Sequence, residues 1–243
     1  MRIGLLQTTS IGDIVIAAPI AQYFVAQGHQ VLWPVSDRYQ PYLAAAFPGI
    51  DFVSLAAGSA GYESLGHLYL QPMAMLRELG CDRIHCLYSH LVAGEGFTVK
   101  GAVNRRLAGS LKFDEYKYAV AGVPFERKWA LSIERDVVRE QALLARLDLK
   151  GEYVLIHEQG SNFKVEVNPG EAITRDHRIV RIEPLTGNPF DWLGVIESAA
   201  MLFMIDSVFA NLVEQLGIGR NKTLILRSGI QSTPVFRSDW RIV

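Results

Sequence analysis

Two carboxylates stand where chemistry is readily built, one near each end of the chain. Asp13 closes the polar run Thr8-Thr9-Ser10-Ile11-Gly12-Asp13. Asp206 follows the apolar run Met201-Leu202-Phe203-Met204-Ile205 and precedes Ser207. Residues 2–7 read as a buried strand and residues 14–26 as an Ala-rich amphipathic helix. Asp13 therefore falls at a strand-to-helix join, the carboxyl end of a strand, where α/β folds bind ligands. A carboxylate at a helix N-terminus faces unpaired N–H groups and the positive end of the dipole. Both favour its ionised form, which can take a proton from a hydroxyl near neutral pH. The competing reading is a plain helix N-cap, a role Asp fills well. Asp206-Ser207 has the same setting. The N–H groups of Ser207, Val208 and Phe209, with the Ser207 hydroxyl, suit a phosphate, and again a plain N-cap stays open. No Walker-type Lys follows and no Gly-x-Gly-x-x-Gly occurs, so neither a P-loop nor a dinucleotide fingerprint is supported.

Other residues are candidates by position. The run His157-Glu158-Gln159-Gly160-Ser161-Asn162-Phe163-Lys164 follows a strand and either presents Ser161, Asn162 and Lys164 to a phosphate or is a solvated loop. Arg181-Ile182-Glu183-Pro184 ends the next strand, where a base or ribose would be held. Glu197 and Ser198 either meet ribose hydroxyls or lie on an exposed helix face. Cys81, His85, Cys86 and His90 match no structural zinc spacing. His85 and Cys86 point to opposite faces of a strand, so no metal site is expected. Arg105-Arg106 reads as a solvated loop, and Trp33, Tyr39 and Tyr42 as core rather than as stacking platforms.

The elements that must position these groups alternate along the chain. Strands are expected at 2–7, 30–35, 51–55 and 83–88, with helices at 14–26, 67–79 and 113–121. A second series runs from a helix at 137–147 through strands at 152–157, 178–182, 202–205 and 222–226, with helices at 189–199 and 207–216. Such alternation means a parallel, doubly wound sheet in each half. The boundary is placed near residue 126, giving domains 1–126 and 127–243, with the tail from about residue 230 packing back on the first. Residues 94–106 are expected to form a loop.

Composition excludes several classes. The 243 residues suit one large or two small α/β domains. The chain is 49% hydrophobic and 20% charged, ordinary for a globular protein. Its 24 basic and 25 acidic residues leave a net charge of −1, which argues against binding driven by charge to nucleic acid or anionic membrane. No run approaches the roughly 18 apolar residues of a membrane span. The chain enters a strand at once, so no secretory signal is expected. Two cysteines point to a reducing cytoplasm.

Two motifs together resemble the bacterial heptosyltransferase type of GT-B glycosyltransferase. Ser10-Ile11-Gly12-Asp13-Ile14, with Pro19 five positions on, is similar to one family segment. Ile196 and Ala199, followed by Asp206-Ser207 and Leu212, are similar to a second, with Asn211 where the family often carries His. The resemblance implies two Rossmann-like domains with parallel sheets facing a central cleft. It implies a nucleotide-diphosphate sugar as co-substrate, with no other cofactor, bound mainly by the C-terminal domain and with the acceptor on the N-terminal one. Asp13 would be the catalytic base of an inverting, metal-independent transfer. The donor would be held among Ser10, Gly12, Ser161, Lys164, Glu183, Glu197, Asp206, Ser207 and Val208. The acceptor stays open between a cell-envelope glycan, a modified base in DNA as in bacteriophage-type enzymes, and a protein. An epimerase or hydrolase on the same fold and a non-catalytic binding module are the competing readings.

Overall fold

The structure is a computed structural model that describes residues 1–56, 58, 61–89, 104–160, 163–226 and 232–243. It divides into two compact units, Met1–Glu134 and Arg135–Val243.

Unit 1 holds a four-stranded parallel sheet of β1 (Arg2–Leu6), β2 (Gln30–Ser36), β3 (Asp51–Leu55) and β4 (Arg83–Cys86), in the order β3-β2-β1-β4. Its helices are α1 (Ile11–Ala26), α2 (Gln40–Ala46), α3 (Gln71–Glu78), α4 (Arg105–Ser110) and α5 (Phe113–Ala121). A π-helical turn, Gly66–Leu70, leads into α3, and a 3₁₀ segment, Phe125–Ala130, follows α5. In β1 and β2 every residue after the first is buried, as expected for parallel strands covered on both faces.

Helix α1 begins three residues before the expected Ile14 and is not amphipathic. Residues 14–21 are all buried, because the sheet, α5 and the 3₁₀ segment enclose it. The 3₁₀ segment belongs to unit 1, so the division falls at 134 rather than 126. Gln22 and Ser132 exchange hydrogen bonds, and Glu134 N donates to Ala46 O at 2.9 Å, holding this stretch to the first sheet's helices.

Unit 2 holds a five-stranded parallel sheet of β5 (Tyr153–His157), β6 (Arg178–Arg181), β7 (Met201–Ile205), β8 (Lys222–Ile225) and β9 (Arg241–Ile242), in the order β6-β5-β7-β8-β9. Its helices are α6 (Val137–Arg146), α7 (Glu171–Asp176), α8 (Leu193–Ser198) and α9 (Val208–Leu216), with a 3₁₀ turn at Pro189–Trp192. Gly217, at φ 65°, closes α9 in the left-handed conformation that glycine adopts without strain.

The described tail residues pack on unit 2, whereas the tail was expected to pack back on the first half. Strand β9 pairs parallel with β8. Buried Glu214 of α9 accepts from Trp240 Nε1 at 2.9 Å and from Arg237 N at 2.8 Å. A buried carboxylate needs such donors, and the tail supplies them. No helix among the described residues is long and apolar enough to cross a membrane.

Candidate active site

Beyond β1 the chain runs through Gln7, Thr8 and Thr9, all buried, before it turns into α1. Their polar groups are met from several sides. Trp33 Nε1 donates to Gln7 O at 3.0 Å, and Ser36 donates to Thr8 O through both N and Oγ. Tyr88 Oη accepts from Thr8 N at 2.7 Å. The loop is thus fixed at the carboxyl edge of the sheet, because each buried polar group has a partner there. The next residue, Ser10, takes a left-handed conformation at φ 63°, which costs a non-glycine residue on the order of 1 kcal/mol. That turn aims α1 away from the edge.

Ser10, not Asp13, holds the N-cap position, and its side chain makes no capping bond. Asp13 lies in the first turn, at the third helical position. The plain-cap alternative for Asp13 therefore falls. What holds its carboxylate is Lys117 of α5, with Nζ 3.1 Å from Asp13 Oδ1. The same ammonium donates to Gln7 Oε1 at 2.7 Å and to Leu87 O at 3.2 Å. Lys117 is 3% exposed and Asp13 29%. A buried ammonium needs all three of its donors matched, and here it has three oxygens. The result is a carboxylate pinned through one oxygen at a partly open edge. Sequence reasoning missed Lys117. Its only signal was a charge set between Tyr116 and Tyr118, two aromatics that prove fully buried.

In unit 2 the carboxyl ends of β5 and β7 bring His157 to Ser207. Ser207 Oγ and His157 Nδ1 lie 2.9 Å apart, and the His157 ring stands edge-on to Phe209 at 4.7 Å. Ser207 occupies the N-cap position of α9 but makes no capping bond, since its hydroxyl is turned to His157. The first N–H groups of α9, from Val208 on, have no helical carbonyl to meet. Asn211 Nδ2 donates to Ser207 O at 2.8 Å, bracing the turn. Asp206 is 4% exposed at the end of β7. This arrangement favours an anion at the helix end over the plain-cap alternative for Ser207.

Burial pushes the His157 pKa down to about 4, from an ordinary 6.5. Between pH 6.5 and 4 the unfolded chain takes up a proton there that the folded chain refuses. Stability is then fully present above that window and falls as the pH is lowered through it. Melting curves taken from pH 7.5 to 4.5 are expected to show a shallower acid slope for His157→Gln than for wild type. Equal slopes would remove His157 as the source.

The remaining predicted residues scatter. Gly12 lies in the first turn of α1, beside Asp13. Lys164 is engaged by Glu158, with Nζ 2.9 Å from Oε1, and Arg181 Nε stands 3.5 Å from the same oxygen. Lys164 and Arg181 help hold the Glu158 carboxyl below its usual range, against the opposing effect of its burial. Glu183 is exposed just past β6. Ser161, Asn162 and His90 lie outside the described residues.

Glu197 is not brought to this edge. It sits in the last turn of α8, whose Val195 O accepts from the hydroxyl of Tyr153, the first residue of β5. Glu197 thus lies at the strand-start edge, where Arg135 Nη1 and Nη2 meet its two oxygens at 2.8 Å each. The sequence pattern could not show this, because Arg135 lies 62 residues away. Trp33 is fully buried core, and Cys86 joins Leu6, Leu76 and Tyr88 in an apolar cluster, with Cys81 packed against it. His85 stacks on Phe24 and bonds Val120 O. Among the described residues no group of three or more His, Cys, Asp or Glu is placed to hold a metal ion.

No protein-family model and no curated protein sequence matches the chain. Solved structures do match in fold. A glycosyl transferase family 9 structure from Veillonella parvula aligns at a TM-score of 0.63 and 11% identity, covering 100% of this chain and 85% of its own. The iron-containing dodecameric heptosyltransferase TibC, in complex with ADP-D-beta-D-heptose, aligns at 0.59 and 14% identity. There the match covers 99% of this chain but only 61% of TibC, itself from an enterotoxigenic E. coli. The E. coli heptosyltransferase WaaC with ADP aligns at 0.55 and 12% identity, covering 100% and 92%. The chain has the α/β fold, with a parallel sheet in each of two units, that glycosyltransferase family 9 and heptosyltransferase structures share.

Proposed function

We propose that the chain is a cytoplasmic, inverting glycosyltransferase that moves a sugar from a nucleoside-diphosphate sugar to an acceptor hydroxyl, with Asp13 as the general base. One observation carries this reading. In a fold shared with glycosyltransferases, the Asp13 carboxylate is fixed by Lys117 at the partly open carboxyl edge of a parallel sheet. ADP and ADP-heptose in the related structures favour an adenine nucleotide as the donor's base.

In this reaction Asp13 takes the proton of the acceptor hydroxyl. The oxygen attacks the anomeric carbon from the face opposite the diphosphate, forming one C–O bond as the other breaks. The nucleoside diphosphate leaves with the bonding pair. Its growing charge is met by the N-terminus of α9 and the Ser207 hydroxyl, without a metal ion. Lys117 keeps Asp13 in one orientation. Transfer requires water to be kept from the donor, which it would otherwise hydrolyse.

The test is a melting-temperature screen with ADP, UDP, GDP, CMP and their sugars, without and then with Mg²⁺. A ligand at about a hundred times its dissociation constant adds roughly 2.7 kcal/mol. For a chain of this size that is a rise of roughly 5–10 °C. We expect the rise with ADP and its sugars, independent of Mg²⁺, and a smaller one in Ser207→Ala. No rise with any nucleotide would overturn the donor site.

A further inference from the structure

Asp37, Arg38, Tyr39 and Tyr62 form a cluster that the transfer step does not use. Strand β2 ends at Ser36, whose N–H and hydroxyl both donate to Thr8 O. Residues 37–39 therefore leave the sheet at the edge that carries Asp13. The Arg38 guanidinium lies over two rings, with Cζ 4.6 Å from the centroid of Tyr39 and 4.3 Å from that of Tyr62. Asp37 Oδ1 accepts from Tyr62 Oη and from Arg38 N, each at 2.8 Å. Tyr62 sets its ring at right angles to buried His67, at 5.1 Å. The cluster is thus assembled from two loops and anchored to the core, while Arg38 itself is exposed. No carboxylate among the described residues forms an ion pair with its guanidinium.

We propose that this cluster is a subsite for a neutral, hydroxyl-rich acceptor, a glycan. The inference rests on unit 1 being the acceptor side. Vicinal sugar hydroxyls each need a donor and an acceptor, and the cluster offers both side by side. Arg38 presents in-plane N–H donors whose direction the two rings fix, and Asp37 presents a carboxylate already oriented by two donors. The tyrosine rings add flat apolar surface for the C–H faces of a sugar. The charges are of mixed sign, with Glu63 acting on Tyr39 alongside Arg38, so a phosphate or carboxylate gains little there.

Calorimetric titration of the full chain tests this. Neutral methyl glycosides and disaccharides are compared with phosphorylated and carboxylated sugars and with a single-stranded DNA oligonucleotide, with and without ADP. We expect a neutral sugar to bind, and Arg38→Ala and Asp37→Asn each to weaken it by at least about tenfold while ADP binding is kept. Tighter binding of a charged sugar or of the oligonucleotide through Arg38 overturns the inference. So does sugar binding indifferent to both substitutions, or no sugar binding at all. A chain that binds sugar through Arg38 and Asp37 but no nucleotide keeps this subsite and overturns the transferase. Nucleotide binding without a variant-sensitive sugar does the reverse.

Discussion

Asp13→Asn is expected to lower turnover by at least about a hundredfold, the low end of what a positioned general base contributes. Asn keeps the size of Asp and an oxygen for Lys117, so the N-terminal turn of α1 retains its partner. It cannot take the acceptor's proton. The lost interaction is one made only in the transition state, so kcat and kcat/KM should fall together while donor KM holds. The ADP-induced rise in melting temperature should also survive, since the groups proposed to meet the donor's phosphates lie in unit 2. Steady-state kinetics on the variant, with ADP release as the readout, checks this. Unchanged turnover would remove Asp13 as base. Loss of nucleotide binding together with turnover would mean that Asp13 holds the donor instead.

The largest expected effect on stability comes from Lys128→Met. Lys128 Nζ lies 2.7 Å from Asp114 Oδ2, and both side chains are fully buried. The ammonium also stands 5.7 Å from the Phe125 ring and 5.6 Å from the Trp129 ring. Removing it leaves a buried carboxylate without its cation, which costs about 3–5 kcal/mol. That corresponds to a melting temperature lower by roughly 6–20 °C. The pair joins the 3₁₀ segment to α5, the helix that carries Lys117, so the effect reaches the site's scaffold. The double variant Asp114→Leu/Lys128→Met should recover most of the loss, because an apolar pair needs no partner in the core. A drop of under about 3 °C in the single variant would refute the argument.

Local patterning along the chain places the alternation of strands and helices and the two joins that carry Asp13 and Asp206-Ser207. These are local features: apolar runs of strand length, Gly and Pro stops, and polar residues at helix starts. Every strand from β1 to β8 falls where its apolar run predicts. The two-residue β9 does not, because so short a strand forms only against a neighbour already in place. Helices α2, α4 and α7 were missed as well; α4 begins at Arg105, inside the expected loop at 94–106, of which residues 94–103 lie outside those described.

What each candidate can do depends on partners that lie far away in the chain. Asp13 and Ser207 looked equally like caps, and their partners, Lys117 and His157, are distant in the chain. Ser207 and His157 are 50 residues apart, and Lys117 reaches Gln7 across 110. No local pattern encodes such pairs, since they arise only when sheet order places one strand end beside another. The same physics moved Glu197 away from the site. Its helix runs back along the sheet, so its last turn lies at the edge where strands begin, and Arg135 takes its charge there.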